Sequence, residues 1–176
     1  NWEISCLSSF VAVVGMAHPT LFTFGHGLSY THFSHALRLD DRTAPPHVTV
    51  TAAAGTGGNR SPAGGGLLPV EELPCEALDV HLHVEVTNHG RLAGSHVVLV
   101  FWHPPARWQA HGAAARQLAA FQRLARLEPG HVAKVRLVLN TCQHLSFPHS
   151  ITGAHVVPTG SHILAVGDSL QKFTVS

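Results

Sequence analysis

His81 and His83 stand one residue apart in a segment that alternates apolar and polar side chains. In an extended strand that spacing puts both imidazoles on one face, where they could chelate a divalent metal if a third ligand approached. In a chain with sixteen histidines the favoured reading is a solvated strand face, so no metal ligand is assigned. Trp102 and Trp108 flank Pro104-Pro105 and are candidates for carbohydrate contact, because an indole held at a surface can stack on a sugar. Against that, Trp102 ends an apolar run and is expected to pack between sheets. The ten carboxylates are scattered. Asp40-Asp41 would point to opposite faces of a strand, Glu71-Glu72 sit beside loops, and Glu85 lies on the polar side of the alternating segment. None makes an acid/base pair, so no catalytic residue is assigned. Asn59-Arg60-Ser61 is an N-glycosylation sequon.

The elements that must position these groups are mostly strands. Residues 78–88 alternate without a fault, which predicts a half-buried strand with Leu78, Val80, Leu82, Val84 and Val86 toward the core. Residues 95–102 (SHVVLVFW) form a β-branched and aromatic run, which predicts a strand buried on both faces. Residues 131–139 and 161–166 are further strands, introduced by Pro129-Gly130 and Pro158-Thr159-Gly160. Residues 113–127 conflict with this pattern, since Leu118, Phe121, Leu124 and Leu127 fall three apart among good helix formers. Short strands separated by turn signals predict an all-β, antiparallel, immunoglobulin-like sandwich.

Composition excludes two kinds of partner. With 12% charged residues and a net charge of +1, there is no basic stripe for nucleic acid. The longest apolar stretch, residues 6–17, is interrupted by Ser8, Ser9 and Gly15 and is well short of the roughly 20 residues that span a membrane. No cofactor is implied. Residues 52–66 contain six Gly, four Ala and one Pro, and read as a flexible insert. The chain opens on Asn1 rather than Met, which reads as a piece of a longer product.

Residues 21–33, Leu-Phe-Thr-Phe-Gly-His-Gly-Leu-Ser-Tyr-Thr-His-Phe, resemble the L-F-P-F-G-x-G-L-S-Y-T-x-F signature of glycoside hydrolase family 3. There the signature leads from a catalytic domain into a C-terminal fibronectin type III-like domain. Residues 84–99 resemble the family's V-x-V-x-N-x-G-x-x-x-G-x-x-V-V-x-L, residues 117–130 its Q-L-x-G-F-x-R-V…L-x-P-G, and residues 160–168 its G-x-Y-x-L-x-V-G-D. The Pro-Pro after Phe101-Trp102-His103 and the run Cys142-Gln143-His144-Leu145-Ser146 look most like β-D-xylosidases and α-L-arabinofuranosidases.

The resemblance implies a fibronectin type III-like domain over residues 31–176, a linker over 18–30 and an unmatched apolar segment over 1–17. It implies an accessory role in an enzyme that hydrolyses xylan-derived oligosaccharides. The partners would be the catalytic domains of the same polypeptide and an oligosaccharide. It also implies an extended rather than helical conformation for residues 116–127, with Leu118, Ala120 and Leu124 on one face. Both catalytic carboxylates of the family lie outside the stretch seen here, so the chain alone is expected to be inactive. His26 could line a sugar site of the complete enzyme. The implied extracellular setting would allow a disulfide between Cys75 and Cys142, leaving Cys6 unpaired. The rival reading is a freestanding carbohydrate- or metal-binding module.

Overall fold

The computed structural model describes residues 27–40, 47–48 and 66–176. The segment 1–17, the sequon at Asn59 and all of the Gly-rich insert except Gly66 lie outside the described residues, as does His26. Among the described residues eleven strands are seen: β1 (Phe33–Leu39), β2 (His47–Val48), β3 (Leu67–Pro69), β4 (Asp79–Asn88), β5 (Gly94–His103), β6 (Gln117–Leu127), β7 (Val132–Asn140), β8 (Phe147–Pro148), β9 (His155–Pro158), β10 (Gly160–Val166) and β11 (Ser169–Val175). A one-turn helix, α1 (Thr141–His144), follows β7.

Three strands form one sheet in the order β1-β4-β7, and five form another in the order β2-β11-β10-β5-β6. A small third sheet, β3-β9-β8, adds to the two-layered sandwich expected from the sequence. Every pairing is antiparallel except β2 with β11, which is parallel.

The alternating segment folds as its period dictates. Val80, Leu82, Val84 and Val86 of β4 are buried against Val98, Val100 and Trp102 of β5, Leu164 and Val166 of β10, and Phe173 and Val175 of β11. At about 1.5–3 kcal/mol for each large apolar side chain removed from water, this double layer is the main source of stability.

The conflict over residues 113–127 resolves as strand from Gln117 to Leu127, with 113–116 in the preceding connection. Helix propensity there is a matter of tenths of a kcal/mol per residue, and pairing along β5 outweighs it. The face assignment needs correcting. The register pairs Val100 with Ala120 and Phe101 with Leu118, so a bulge turns Ala119 inward and leaves Leu118 36% exposed. A second irregularity lies between the Gly94–Leu127 and His96–Leu124 pairs. The expectation that residues 95–102 are buried on both faces also needs correcting. Only Val100, Phe101 and Trp102 are consecutively buried, and the first half of β5 is open on its outer side.

Two glycines of the family-like motifs have steric reasons. A Cβ on Gly90 would collide with the Thr31 hydroxyl. Gly167, at φ +55°, closes the β10–β11 hairpin, and a Cβ there would lie 2.6 Å from Nδ1 of His35.

Candidate functional site

Trp102 is fully buried. Its indole N–H donates to Nδ1 of His162 at 2.9 Å, and the two rings stack with centroids 5.7 Å apart. Nε2 of His162 therefore carries the proton and donates to the Pro158 carbonyl at 2.8 Å. Burial pushes the His162 pKa down to about 4, with the Arg107 guanidinium acting in the same direction and the Pro158 bond against it. A second proton on the imidazole would face the indole N–H, so this corner holds neutral histidine. Trp102 has no open ring face, and its candidacy for sugar contact is withdrawn for that reason.

Trp108 sits in a 3-10 turn, Ala106–His111, and is half-buried. Its N–H donates to the Thr159 carbonyl at 3.0 Å, which also accepts from Arg107 at 2.8 Å. The Arg107 guanidinium lies over the indole at 4.9 Å, and His111 meets its edge at 5.5 Å. The two tryptophans thus bolt residues 102–111 to residues 158–162 instead of forming a joint sugar platform.

His81 and His83 lie on the outer face of the three-stranded sheet, and His83 approaches Asp40 at 3.7 Å. Among the described residues no group of three His, Cys, Asp or Glu is placed to hold a metal. Cys75 and Cys142 are joined as a disulfide, with Cα atoms 5.7 Å apart, which ties the approach to β4 to the helix after β7. The Asn140 side chain braces the same junction by donating to the Cys75 carbonyl at 2.6 Å and to Asp79 at 3.0 Å.

Sequence reasoning singled out neither of two polar clusters near the start of the described chain. The Asn88 side chain is fully buried; it donates to the carbonyls of Leu92 and Leu127, both at 2.9 Å, and accepts from the Gly90 N–H and the Thr31 hydroxyl. It fastens the lead-in to β1 onto the β4–β5 turn and the end of β6. His35 and His96 share a hydrogen bond between their Nε2 atoms at 2.7 Å, linking β1 to β5 across the sandwich. Burial lowers the pKa of both; Asp168 partly offsets this at His35, and the neighbouring His35 adds to it at His96. The motif V-x-V-x-N-x-G contains Asn88 without naming its partners, and histidines contributed by separate strands leave no local pattern.

The outer faces of the two large sheets differ in kind. The three-stranded sheet presents mainly Ser34, Arg38, Glu85, Thr87, Lys134 and Arg136, with Lys134 and Glu85 paired at 3.5 Å and half-exposed Val132 and Val138 among them. The five-stranded sheet presents Val97, Leu99 and Phe101 of β5, Phe121 of β6 opposite Leu99, and Ile163 and Ala165 of β10. The guanidinium of Arg116 lies 3.5 Å over the Phe101 ring and caps that end of the strip. At the other end, Gly27, Leu28, Ser29 and Thr31–Phe33 of the lead-in and the start of β1, with Ser95–Val97 and Leu99 of β5, line an open concavity of about 600 Å³.

A family model described as "Fibronectin type III-like domain" matches residues 96–170. Beta-D-xylosidase 1 of Arabidopsis thaliana is 33% identical over 153 residues, covering 85% of this chain and 19% of that protein. Beta-xylosidase/alpha-L-arabinofuranosidase 2 of Medicago sativa is 32% identical over 156 residues, covering 89% of this chain and 19% of that protein. Among solved structures, the β-D-glucoside glucohydrolase of Trichoderma reesei superposes with a TM-score of 0.56 at 26% identity, covering 88% of this chain and 20% of its own. The chain spans about a fifth of the length of the curated relatives it matches. It belongs to the fibronectin type III-like domains carried at the C-terminus of glycoside hydrolase family 3 enzymes.

Proposed function

We propose that this domain serves a longer, secreted polypeptide whose catalytic part hydrolyses xylan-derived oligosaccharides, and that its own contribution is structural. The observation that carries the reading is the match to β-xylosidases along nearly the whole chain, combined with the absence of a paired acid and nucleophile among the described residues. A retaining glycosidase needs two carboxyl groups about 5 Å apart. Here Glu85 pairs with Lys134, Glu128 with Arg126, and Asp79 accepts from Asn140. These are surface and strand-end interactions.

The Cys75–Cys142 disulfide supports an oxidising compartment. No helix among the described residues is long and apolar enough to cross a membrane. A freestanding carbohydrate-binding module has less support, since Trp102 is buried and one face of Trp108 lies under Arg107.

The test is to isolate the native polypeptide that yields tryptic peptides from residues 117–140 and to measure its mass and its hydrolysis of an aryl β-D-xyloside. The reading expects a chain several times 18.8 kDa that turns over the xyloside, and no turnover by the isolated 176 residues. A native mass near 18.8 kDa would overturn it.

A further inference from the structure

We infer that the outer face of the five-stranded sheet is the surface on which the catalytic part of the same polypeptide docks, and that the docked surface is apolar and bears carboxylates. This inference rests on the reading under Proposed function and specifies its contact.

An antiparallel sheet that faces water on one side normally carries polar side chains there. The three-stranded sheet does so over most of its outer face, where Val132 and Val138, each 50% exposed, stand apart among charged and polar side chains. The five-stranded sheet instead keeps a strip of Val97, Leu99, Phe121 and Ile163 around the Arg116-capped Phe101, in which Val97 is 42% and Phe121 is 67% exposed while Phe101 itself is buried. Leu170 extends it across β11 at 58% exposure, paired beside Ala165. A contiguous apolar patch of this kind marks an interface.

Charge and chain direction identify the occupant. β5, β6, β10 and β11 contain no Asp or Glu; Arg123 is registered beside Val97, Lys172 beside Ile163 and Arg116 lies over Phe101, while Asp168 stands in the β10–β11 turn and Glu128, past the end of β6, is paired with Arg126. A second copy presenting the same face would set cation against cation, whereas a surface bearing Asp and Glu complements it. The lead-in residues reach β1 past this same end of the sheet, where they wall the concavity with Val97 and Leu99. Tyr30 in that lead-in is 99% exposed and Leu28 94%, so the apolar surface continues along the segment that joins the domain to whatever precedes it. The chain spans 19% of Beta-D-xylosidase 1 of Arabidopsis thaliana, so a relative of this kind carries about five times as much polypeptide, enough to supply a body that covers the strip.

The experiment compares the native polypeptide with the isolated 176-residue chain by hydroxyl-radical footprinting, together with native mass. In the native polypeptide, labelling of Phe121 and Tyr30 is expected to fall roughly fivefold, as exposed rings pass into an interface core, while Val138 on the opposite sheet keeps its labelling. A carbodiimide crosslink is expected from Lys172 to an Asp or Glu outside this chain. A long native polypeptide with Phe121 still fully labelled would overturn the docking face and leave the proposed function standing. A native mass near 18.8 kDa would overturn both. An isolated chain that already runs as a dimer with Phe121 protected would replace the occupant with a second copy. Protection without any Lys172 crosslink would overturn the carboxylate assignment.

Discussion

Lowering the pH from 7 to 5 protonates histidines in the unfolded chain, whose ordinary pKa is near 6.5, while folded His162 stays neutral with its pKa held down to about 4. Burial is the main cause, and the Trp102 indole N–H already occupies the lone pair that would take the proton. The unfolded state therefore binds more protons across this window. The contribution of His162 is fully present above about pH 6.5 and is lost as the pH falls toward 4. At about 1.4 kcal/mol per pH unit, the gap amounts to roughly 3 kcal/mol when complete and about 2 kcal/mol by pH 5. Against a typical total of about 5–15 kcal/mol for a domain, that is enough to move the unfolding midpoint visibly.

Urea unfolding followed by circular dichroism at pH 7 and pH 5 measures the loss, and His162→Asn isolates its source. The variant is expected to be less stable at pH 7 by about 2–3 kcal/mol, through lost volume and an unpaired Pro158 carbonyl. Its further loss on going to pH 5 should be smaller than that of the parent chain by roughly 2 kcal/mol. His35, His96 and His103 are also held low by burial, but they contribute equally to both proteins. Equal losses in the two proteins would refute the reasoning. If the variant does not fold, NMR titration of His162 in the parent chain decides instead, because a midpoint near 6.5 contradicts a buried neutral imidazole.

Three other perturbations have definite expected outcomes. Replacing Cys75 and Cys142 by Ala frees a loop of 67 residues and is expected to cost about 4 kcal/mol on the chain-entropy account, read as a lower urea midpoint. Asn88→Asp removes both donors to Leu92 and Leu127 and sets a carboxylate against their carbonyls in a fully buried site; a loss of about 3 kcal/mol or more in the same assay is expected, and a neutral outcome would contradict the hub. Phe121→Ser should leave the isolated chain within about 0.5 kcal/mol of the parent, whereas Val84→Ala, at a buried position, should cost about 2 kcal/mol in calorimetry.

The sequence made β4, β7 and β10 legible because each has a strong period or a turn signal and one dry face. β1 was not legible, since its FSHALRL mixes small, basic and aromatic residues and is held by partners distant in sequence, such as the Leu37 N–H to Ser169 bond at 3.0 Å. The register of β6 was not legible either. A bulge depends on the neighbouring strand, and nothing in QLAAFQRLARL announces that Ala119 will be the residue turned inward. The two tryptophans were conspicuous as residue types, but type alone does not say whether a ring is open. Their hydrogen bonds to His162 and Thr159, 51 to 60 residues away, settle that question.

The misreading of β5 carries the most information about function. SHVVLVFW is apolar on both alternating sets of positions, which is the pattern of a strand with two dry faces. Among the described residues the Val98, Val100 and Trp102 set faces the core, while Val97 and Leu99 stay open and Phe101 is buried with the Arg116 guanidinium over its ring. An apolar outer row contributes little to the stability of the isolated domain and exposes it to self-association. β4, with the same length and a likewise apolar inner row, shows that a polar outer row is compatible with this sandwich. The second dry face in the sequence of β5 therefore corresponds, at Val97 and Leu99, to a burial that the described residues do not supply among themselves. A partner that covers Val97, Leu99 and Phe121 reconciles the pattern with the fold.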